Sequence, residues 1–171
     1  MPIEDHQIDL WYVHDEVVLD HDLKSQYHDL LSKDEKERMQ RFYFEKDRHQ
    51  FLITRALLRV VLSKYHKNIQ PKEWRFETND YGKPYISNMQ KDRSLSFNLS
   101  HSKNLIVLAV AAHEKLGIDV EYLQRKGGLI KLAKAFFSAE EIKQLELLKD
   151  ENKKPRFFDL WTLKEAYIKA C

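Results

Sequence analysis

Two carboxylates separated by a single residue, Asp119 and Glu121, are the first candidates for chemistry in this sequence. They alternate with Ile118 and Val120, a pattern that predicts a half-buried strand. Side chains two positions apart on a strand point to the same face, so both carboxylates would project together. A hard divalent cation with oxygen ligands would relieve their repulsion. The pair alone leaves two interpretations open, a metal site or the solvent-facing side of a strand.

A third carboxylate, Glu165, lies four residues after Trp161 and four residues before Lys169. Helical spacing places these three side chains close to one face, with the carboxylate beside the ammonium. If this face met the acidic pair, three oxygen ligands would be assembled and open positions would remain for phosphate oxygens. An exposed helical ion pair is the alternative, but the apolar neighbours of Glu165 disfavour it.

Two polar motifs earlier in the chain could bind an anion. Residues 96–102, Ser-Phe-Asn-Leu-Ser-His-Ser, bring several hydrogen-bond donors to the end of a predicted strand, and His101 could be a phosphate donor or a base. Residues 81–85 form a predicted turn in which Lys83 stands beside a glycine and a proline. Turn capping alone is the alternative for both motifs. The sequence has no Walker loop, dinucleotide fingerprint or nucleophile elbow.

Composition narrows the class of protein. Among 171 residues, 29 Lys and Arg stand against 27 Asp and Glu, and a net charge of +2 does not favour nucleic-acid binding. A lone cysteine, Cys171, cannot form an internal disulfide, and the longest apolar stretch, residues 105–112, is too short to span a bilayer. The N-terminus has neither a basic region nor an apolar run. We therefore expect a cytoplasmic protein without membrane or nucleic-acid partners.

The elements that must position these motifs follow an α+β order, without the regular alternation of a parallel sheet. The capping box of Ser32 and Glu35 predicts the first of two helices that extend to residue 65. Strands are predicted at 8–13, 74–78, 95–99, 104–112 and 116–122, with a hairpin turn at 113–115. Helices are predicted at 129–137, at 138–148 and, after a charged loop at 149–154, from Pro155 to the end.

Taken in order, four stretches resemble the signature blocks of the Sfp-type 4′-phosphopantetheinyl transferase superfamily. The family pattern is Gly-Lys-Pro, then Phe-Asn-x-Ser-His-Ser, then Gly-Ile-Asp-x-Glu, and finally Trp-x-x-Lys-Glu-x-x-x-Lys. This chain carries the blocks at 82–84, 97–102, 117–121 and 161–169. Each block is weak alone, but four in the right order and spacing form a specific match over nearly the whole length.

The resemblance implies a fold of two pseudo-symmetric α+β halves with the active site between them. On this basis residues 1–100 are the coenzyme A-binding half, and residues 101–171 are the half with the magnesium-binding and catalytic motifs. Family members continue past the last motif, whereas this chain ends two residues after Lys169. The second half is therefore expected to be incomplete. A complete protein would be a monomer, and the shorter trimeric holo-acyl-carrier-protein synthase type fits worse.

The resemblance also implies a reaction. The 4′-phosphopantetheine group of coenzyme A moves to a serine of an acyl or peptidyl carrier protein, and 3′,5′-ADP is released, as in the holo-[acyl-carrier-protein] synthase class of enzymes. Asp119, Glu121 and Glu165 would hold Mg²⁺. Glu165 would accept the serine proton, directly or through water, and Lys169 would stabilise the leaving phosphate. The catalytic residues would therefore be Glu165, Lys169 and Asp119.

The coenzyme contacts implied by the resemblance come from the first half and its border. They are Lys46, Arg41, Arg48, Thr78, Lys83, Ser100 and His101. Basic residues that could dock an acidic carrier helix are Arg125, Lys126, Lys131 and Lys134. Three alternatives remain. They are an inactive truncated paralogue that binds coenzyme A or a carrier protein, a magnesium phosphohydrolase, and an interaction module whose charges are only surface.

Overall fold

A computed structural model describes residues 3–87, 95–112, 115–124 and 129–171. Its strands and helices confirm the predicted α+β class. The first group of elements is β1 (Ile8–His14), α1 (His21–Leu30), α2 (Lys33–Gln40), α3 (Glu45–Tyr65), β2 (Phe76–Thr78) and β3 (Pro84–Ile86). The second is β4 (Ser96–Ser102), β5 (Leu105–Ala111), α4 (Leu129–Phe136), α5 (Ala139–Leu147) and α6 (Asp150–Ala170).

The main sheet is antiparallel and has the strand order β1-β5-β4. β5 lies in the centre because its sequence, LIVLAVA, can be buried on both faces. Leu108 of β5 stands opposite Trp11 of β1 and Leu99 of β4, which fixes the register of all three strands. Strands β2 and β3 pair separately as a short two-stranded sheet.

Helix α3 covers one face of the main sheet. Leu58 and Leu62 of the helix form one buried cluster with Phe97 of β4 and Leu108 of β5. Both leucines of the helix have no exposed surface, and the same holds for Leu108. This face therefore has the apolar packing that contributes most to the stability of a domain.

The opposite face of the sheet has small and polar side chains. Ala109 and Ala111 of β5 pack against Leu116 and the partly buried Ile118 of the segment that follows the sheet. At the β1 edge this face carries three exposed apolar side chains. They are Ile8, Leu10 and Tyr12, which are 57%, 65% and 71% exposed.

Helices α4, α5 and α6 form a second core. Phe137 stacks on Phe157, with 5.2 Å between the ring centroids, and Phe157 stacks on Trp161 at 5.8 Å. The predicted capping box at the start of α5 is confirmed, since Ser138 and Glu141 each accept a hydrogen bond from the other's backbone N–H. No helix in the described part of the chain is long and apolar enough to cross a membrane.

The start of the first predicted helix is also confirmed. Ser32 and Glu35 form the reciprocal capping box of α2, at 3.3 and 2.9 Å. The sequence analysis missed helix α1, which precedes it. Asp20 caps α1 by accepting the N–H of Leu23 at 2.7 Å, and Leu23 and Tyr27 pack against a cluster that includes Ile53 of α3, so both a cap and an apolar spacing were present in the sequence.

Two predicted elements were wrong. Residues 116–122 do not form a strand in the sheet, because this segment makes its hydrogen bonds with side chains of β4. Residues 150–154 are not a loop but the first turns of α6, so Pro155 lies inside the helix. An ion pair between Lys153 and Asp150 at 2.7 Å supports this early helix start. The predicted turn at 113–115 falls partly outside the described residues.

Candidate active site

The segment 117–122 carries the acidic pair and runs beside β4. Three alternate backbone N–H groups of this segment donate to three alternate side chains of the strand. The contacts are Ile118 to Asn98 Oδ1 at 2.9 Å, Val120 to Ser100 Oγ at 3.3 Å, and Tyr122 to Ser102 Oγ at 2.9 Å. Each acidic residue therefore lies between two fixed backbone groups.

Gly117 lets helix α6 approach this segment. A Cβ at this position would overlap the backbone carbonyl oxygen of Ala166 and lie 2.7 Å from the backbone nitrogen of Ala170. Real Cβ atoms do not come this close to backbone atoms, so only glycine fits. Gly117 thus allows the motif at 161–169 to pack against the motif at 117–121.

Asp119 is held by contacts from two elements. Its Oδ1 accepts Ser100 Oγ–H at 2.9 Å and forms an ion pair with Lys169 Nζ at 2.6 Å. Lys169 Nζ also donates to Ser100 Oγ at 3.2 Å and to the carbonyl of Ile118 at 3.3 Å. The side chain of Asp119 is only 8% exposed. A carboxylate this buried depends on its cation, and Lys169 supplies it.

The second carboxylate, Glu121, accepts a hydrogen bond from the indole N–H of Trp161 at 3.2 Å. Glu165 lies between Trp161 and Lys169 on the same face of α6 and is half-buried. The structure therefore brings the acidic segment against the α6 face that carries Glu165, as the spacing predicts.

The fit of these residues to a metal can be judged from their oxygens. Within the described ranges, no three His, Cys, Asp or Glu side chains converge closely enough to hold a metal ion. Among those same residues, Oδ2 of Asp119 is buried and has no hydrogen-bond partner. A buried carboxylate oxygen in this position needs a partner, and a hard cation with oxygen ligands fits it. One oxygen of Asp119 is thus open to a hard cation such as Mg²⁺, while the other oxygen is paired with Lys169.

A separate cavity of about 300 Å³ lies on the α3 side of β4. Two predicted coenzyme contacts, Thr78 and His101, line it together with Gly82 of the turn. Arg38 of α2 and Arg55 of α3 add positive charge to its wall. A cavity with an imidazole and two guanidinium groups suits a phosphorylated ligand.

Arg55 is positioned by its surroundings. Burial lowers its pKa from the ordinary value, and the charge of Glu35 opposes that shift. Glu35 lies 3.4 Å from Arg55 and 2.6 Å from Arg59 Nη2. The guanidinium of Arg55 also lies over the ring of Phe51, 5.4 Å from its centroid. Because Glu35 is shared with the buried Arg59, the cavity keeps part of the positive charge of Arg55.

Sequence reasoning did not find Arg38, Arg55 and Phe51. They belong to none of the four motifs. Helical periodicity places the arginines of α2 and α3 on particular helix faces, but the sequence does not show which element packs against those faces. The sequence did show that Arg55 and Arg59 lie one helical turn apart. In the structure Arg59 pairs with Glu35 of the α2 capping box, which brings Arg55 to the same side.

Serine and histidine of the same motif separate in the structure. The prediction that residues 96–102 gather their donors in one place was wrong, because these residues lie within β4 and alternate between its faces. His101 lines the cavity on the α3 side. Ser100 points to the other face, where it contacts Asp119 and Lys169.

The remaining predicted coenzyme contacts do not line the cavity, although Lys83 and Arg48 are sequence neighbours of residues that do. Lys83 Nζ donates to the carbonyl of Leu116 at 3.1 Å, which ties the 81–85 turn to the start of the acidic segment. Arg48 Nη1 donates to the carbonyls of Phe42 and Tyr43 at 2.7 and 3.0 Å, so it braces the loop between α2 and α3.

Two further basic residues predicted to contact the coenzyme lie near that loop. Lys46 lies over the ring of Phe44, 5.6 Å from its centroid. Arg41 is the residue after α2 and borders an open groove. Of the predicted docking residues, Lys131 and Lys134 are exposed on α4, while Arg125 and Lys126 lie outside the described residues.

Comparison with known proteins decides the family. A model described as 4′-phosphopantetheinyl transferase, N-terminal, matches residues 20–113, and a model of the 4′-phosphopantetheinyl transferase superfamily matches residues 115–171. The chain belongs to the 4′-phosphopantetheinyl transferase superfamily. The resemblance inferred from the four motifs is therefore confirmed.

Individual relatives agree with this family. The 4′-phosphopantetheinyl transferase HetI of Nostoc sp. is 43% identical over 150 residues, which cover 86% of this chain and 63% of that protein. The 4′-phosphopantetheinyl transferase Sfp of Bacillus subtilis is 34% identical over 140 residues, covering 81% of this chain and 59% of Sfp. This member of the superfamily thus spans about three fifths of the length of these relatives.

A more distant similarity is found among solved structures. It is a crystal structure of a holo-(acyl-carrier-protein) synthase from Bacillus anthracis in complex with CoA (3′,5′-ADP). The TM-score is 0.48 and the sequence identity 16%, and the match covers 60% of this chain and 91% of that one.

Proposed function

We propose that this protein transfers the 4′-phosphopantetheine group of coenzyme A to a serine hydroxyl of an acyl or peptidyl carrier protein and releases 3′,5′-ADP. Its family and its relatives, which are named 4′-phosphopantetheinyl transferases, support this function. The observation that carries the proposal is the meeting of two distant motifs at Gly117, with Asp119 Oδ1 2.6 Å from Lys169 Nζ.

The reaction breaks one bond and forms one. The carrier serine oxygen bonds to the phosphorus that carries the pantetheine arm, and the bond from that phosphorus to the bridging oxygen breaks. The electron pair leaves with 3′,5′-ADP. Glu165 accepts the serine proton, directly or through a water, because it is the half-buried carboxylate beside Lys169 on α6. Lys169 then turns from Asp119 to stabilise the leaving phosphate.

We assign Mg²⁺ to Asp119, Glu121 and Glu165, the carboxylates of the two facing segments. When bound, Mg²⁺ would neutralise charge on the oxygens of the diphosphate. The buried and unpartnered Oδ2 of Asp119 supports this assignment. Trp161 orients Glu121 through the indole N–H, so that its second oxygen is left for other ligands.

The nucleotide part of coenzyme A would bind on the α3 side of β4, in the cavity with His101, Thr78, Arg38 and Arg55, and its diphosphate would have to extend past β4 to Asp119 and Lys169 on the other face. Lys46, Arg41, Arg48 and Lys83 do not line this cavity but remain proposed coenzyme contacts. Ser100 would act from the other face, by orienting Asp119 rather than by lining the cavity. Lys131 and Lys134, which are exposed on α4, remain candidates for docking an acidic carrier helix.

Three broader assignments belong to the same proposal. Residues 1–100 would form the coenzyme-binding half and residues 101–171 the magnesium-binding and catalytic half, although β4 itself runs from Ser96 to Ser102 across that division. The enzyme would be a monomer of the holo-[acyl-carrier-protein] synthase class. A cytoplasmic location agrees with a sequence whose single cysteine, Cys171, cannot form an internal disulfide.

Intact-mass analysis tests the function directly. The protein is incubated with coenzyme A, Mg²⁺ and either an apo acyl carrier protein or an apo peptidyl carrier domain. We expect the carrier to gain the mass of one phosphopantetheine group. Glu165→Gln should lose the gain, while the matched variant Glu151→Gln, in the exposed first turn of the same helix, should keep it.

Other outcomes separate the alternatives. Coenzyme A binding without any mass gain on either carrier would favour the inactive paralogue and contradict the transferase. Phosphate release from coenzyme A without a carrier would favour the phosphohydrolase instead.

A further inference from the structure

We infer that Asn98 and Ser102 are positioning residues that set the two acidic side chains of the active site through their backbone. The sequence suggested them only as donors of an anion-binding motif, whereas in the structure they are acceptors at the two ends of a side-chain ladder on β4. The ladder consists of the acceptors Asn98, Ser100 and Ser102 and the donors Ile118, Val120 and Tyr122. This inference rests on the proposed function, because it concerns the residues assigned to Mg²⁺.

The ladder has a constant register. Each donor follows its acceptor by 20 residues along the chain, and both sets advance by two residues at each step. The segment therefore runs parallel to β4. Since side chains at alternate positions of a strand share one face, all three acceptors of β4 point toward the segment. Asp119 and Glu121 fall between the three fixed N–H groups, so the backbone on both sides of each carboxylate is held.

This arrangement differs from a sheet. Residues 115–124 have no regular strand, and β4 reaches them through an amide and two hydroxyl groups. An ordinary strand pair would fix the segment beside the sheet edge, whereas side-chain acceptors hold it above one face. Because the segment lies above the face of the sheet, Asp119 contacts Lys169 on α6 and Glu121 contacts Trp161.

The three acceptors have different roles. Ser100 touches Asp119 and Lys169 directly, so its loss would change the charge contacts of the site as well as the ladder. Asn98 is 5% exposed and holds only the near end of the segment among its described contacts. Ser102 holds the far end, one residue after Glu121. These two ends can be changed without removing a proposed ligand.

The experiment measures metal binding rather than transfer. Mn²⁺, which accepts the same oxygen ligands as Mg²⁺ and is visible by electron paramagnetic resonance, is titrated into the full chain with coenzyme A present. We expect Ser102→Ala and Asn98→Leu each to raise the Mn²⁺ Kd about tenfold, the usual consequence of losing a group that orients a metal ligand. Ser102→Thr keeps a hydroxyl and should restore the wild-type Kd.

A matched control comes from the same face of β4. Ser96 stands one step before Asn98, and its hydroxyl donates to the carbonyl of Ala111 at 3.5 Å. Ser96→Ala should leave the Kd unchanged. Hydrogen exchange gives a reading without metal, because Tyr122 should lose amide protection in Ser102→Ala and regain it in Ser102→Thr.

Several results would overturn the inference. One is an unchanged Mn²⁺ Kd in both Ser102→Ala and Asn98→Leu, even if both melt at lower temperature, since a purely structural role predicts that pattern. Another is the absence of Mn²⁺ binding by the wild-type protein. If Mn²⁺ binds and the variants weaken it while no carrier is modified, the proposed function fails and the ladder stands.

Discussion

The two faces of the main sheet use different kinds of contact. On the α3 face, Leu108 and Phe97 pack against helix leucines in an apolar cluster. On the opposite face, the same strands present Ala109 of β5 and the polar side chains Asn98 and Ser100 of β4. One face is held by burial of large apolar groups, and the other by hydrogen bonds, an ion pair and close backbone packing.

One small sheet can therefore serve stability on one face and chemistry on the other. Apolar contacts stabilise without specifying direction, so they tolerate small shifts. Hydrogen bonds and close backbone contacts depend on distance and angle, so they fix the positions of Asp119 and Glu121. Changes on the α3 face should therefore act mainly on stability, and changes on the other face mainly on metal binding and transfer.

The largest expected effect is on the α3 face. Leu108→Ala removes a side chain with no exposed surface and leaves a cavity, which should lower the free energy of unfolding by about 4 kcal/mol. Urea denaturation measures this loss. Below the new midpoint, the Mn²⁺ Kd should match the wild-type value. A weakened Kd in the folded variant would break the distinction between the faces.

Next comes the close approach of α6. Gly117→Ala would force α6 away from the acidic segment, because its Cβ overlaps backbone atoms that cannot rotate aside. We expect a loss of about 3 kcal/mol in the free energy of unfolding and no carrier modification. Gly82→Ala is the control: nothing lies within 4 Å of its Cβ, but its φ of +79° adds strain of about 1 kcal/mol. Equal losses in both variants would contradict the packing explanation.

The third effect concerns the charge of the polar face. Lys169→Met leaves Asp119 buried without its cation and should cost about 2 kcal/mol in the metal-free protein. A bound divalent cation replaces that charge, so Mg²⁺ should raise the melting temperature more in this variant than in wild type. Calorimetry with and without Mg²⁺ measures both. Lys164→Met, which removes the ion pair with Glu141, should show the wild-type response to Mg²⁺.

Much of the α3 face could be predicted from the sequence. Leu58, Val61 and Leu62 recur at helical spacing in the sequence and all three are buried on α3, and the predicted strand at 104–112 falls on the apolar central strand β5. These patterns follow from burial, which leaves a periodic record in the sequence. Helix α1 was missed because none of its residues is fully buried, and its apolar face depends on a few partly buried side chains such as Leu23 and Tyr27.

The polar face could be predicted only in part. Family motifs named Asp119, Glu121, Glu165 and Lys169, and the structure brings their two segments together. Their spacing could not reveal that residues 117–122 rest on side chains instead of pairing as a strand. The alternation of apolar and acidic residues suggests a strand, but alternate N–H groups of the segment are satisfied by polar side chains of β4 and not by a strand backbone. Local periodicity does not identify the partner that satisfies the backbone.

The α3 face also contains a group of polar contacts around Tyr65. Tyr65 donates to Asp9 at 2.6 Å and accepts the indole N–H of Trp11 at 2.8 Å. Burial and then the hydrogen bond to Asp9 raise the pKa of Tyr65 from 10.0 to about 12. The neutral phenol is thus favoured in the folded state, so its contribution is complete below pH 10.0 and is lost as pH rises toward about 12.

Tyr65→Phe should remove this alkaline dependence and cost about 2 kcal/mol near neutral pH, since the phenol makes two hydrogen bonds and each is usually worth about 1 kcal/mol. Melting temperatures between pH 8 and pH 12 measure it on the scale over which a phenol titrates. If Tyr65→Phe loses stability above pH 10 as steeply as wild type, the phenol is not the responsible group. Mn²⁺ affinity should not change, since Tyr65 lies on the α3 side.

The smallest expected effect concerns the ion pair between Lys164 of α6 and Glu141 of α5, which lies away from the sheet. The backbone N–H of Ser138, and then the ammonium of Lys164, lower the pKa of Glu141 below its ordinary value of 4.5. A lowered carboxyl pKa gives stability that is present above pH 4.5 and is lost as pH falls through the folded-state pKa. Glu141→Gln should therefore flatten the acid side of the stability profile, as measured by thermal melts below pH 5. This contact holds α6 from the α5 side, apart from the ladder and Gly117, so the Mn²⁺ Kd should stay at the wild-type value; a raised Kd would show that the α5 contact also positions the metal-binding face of α6.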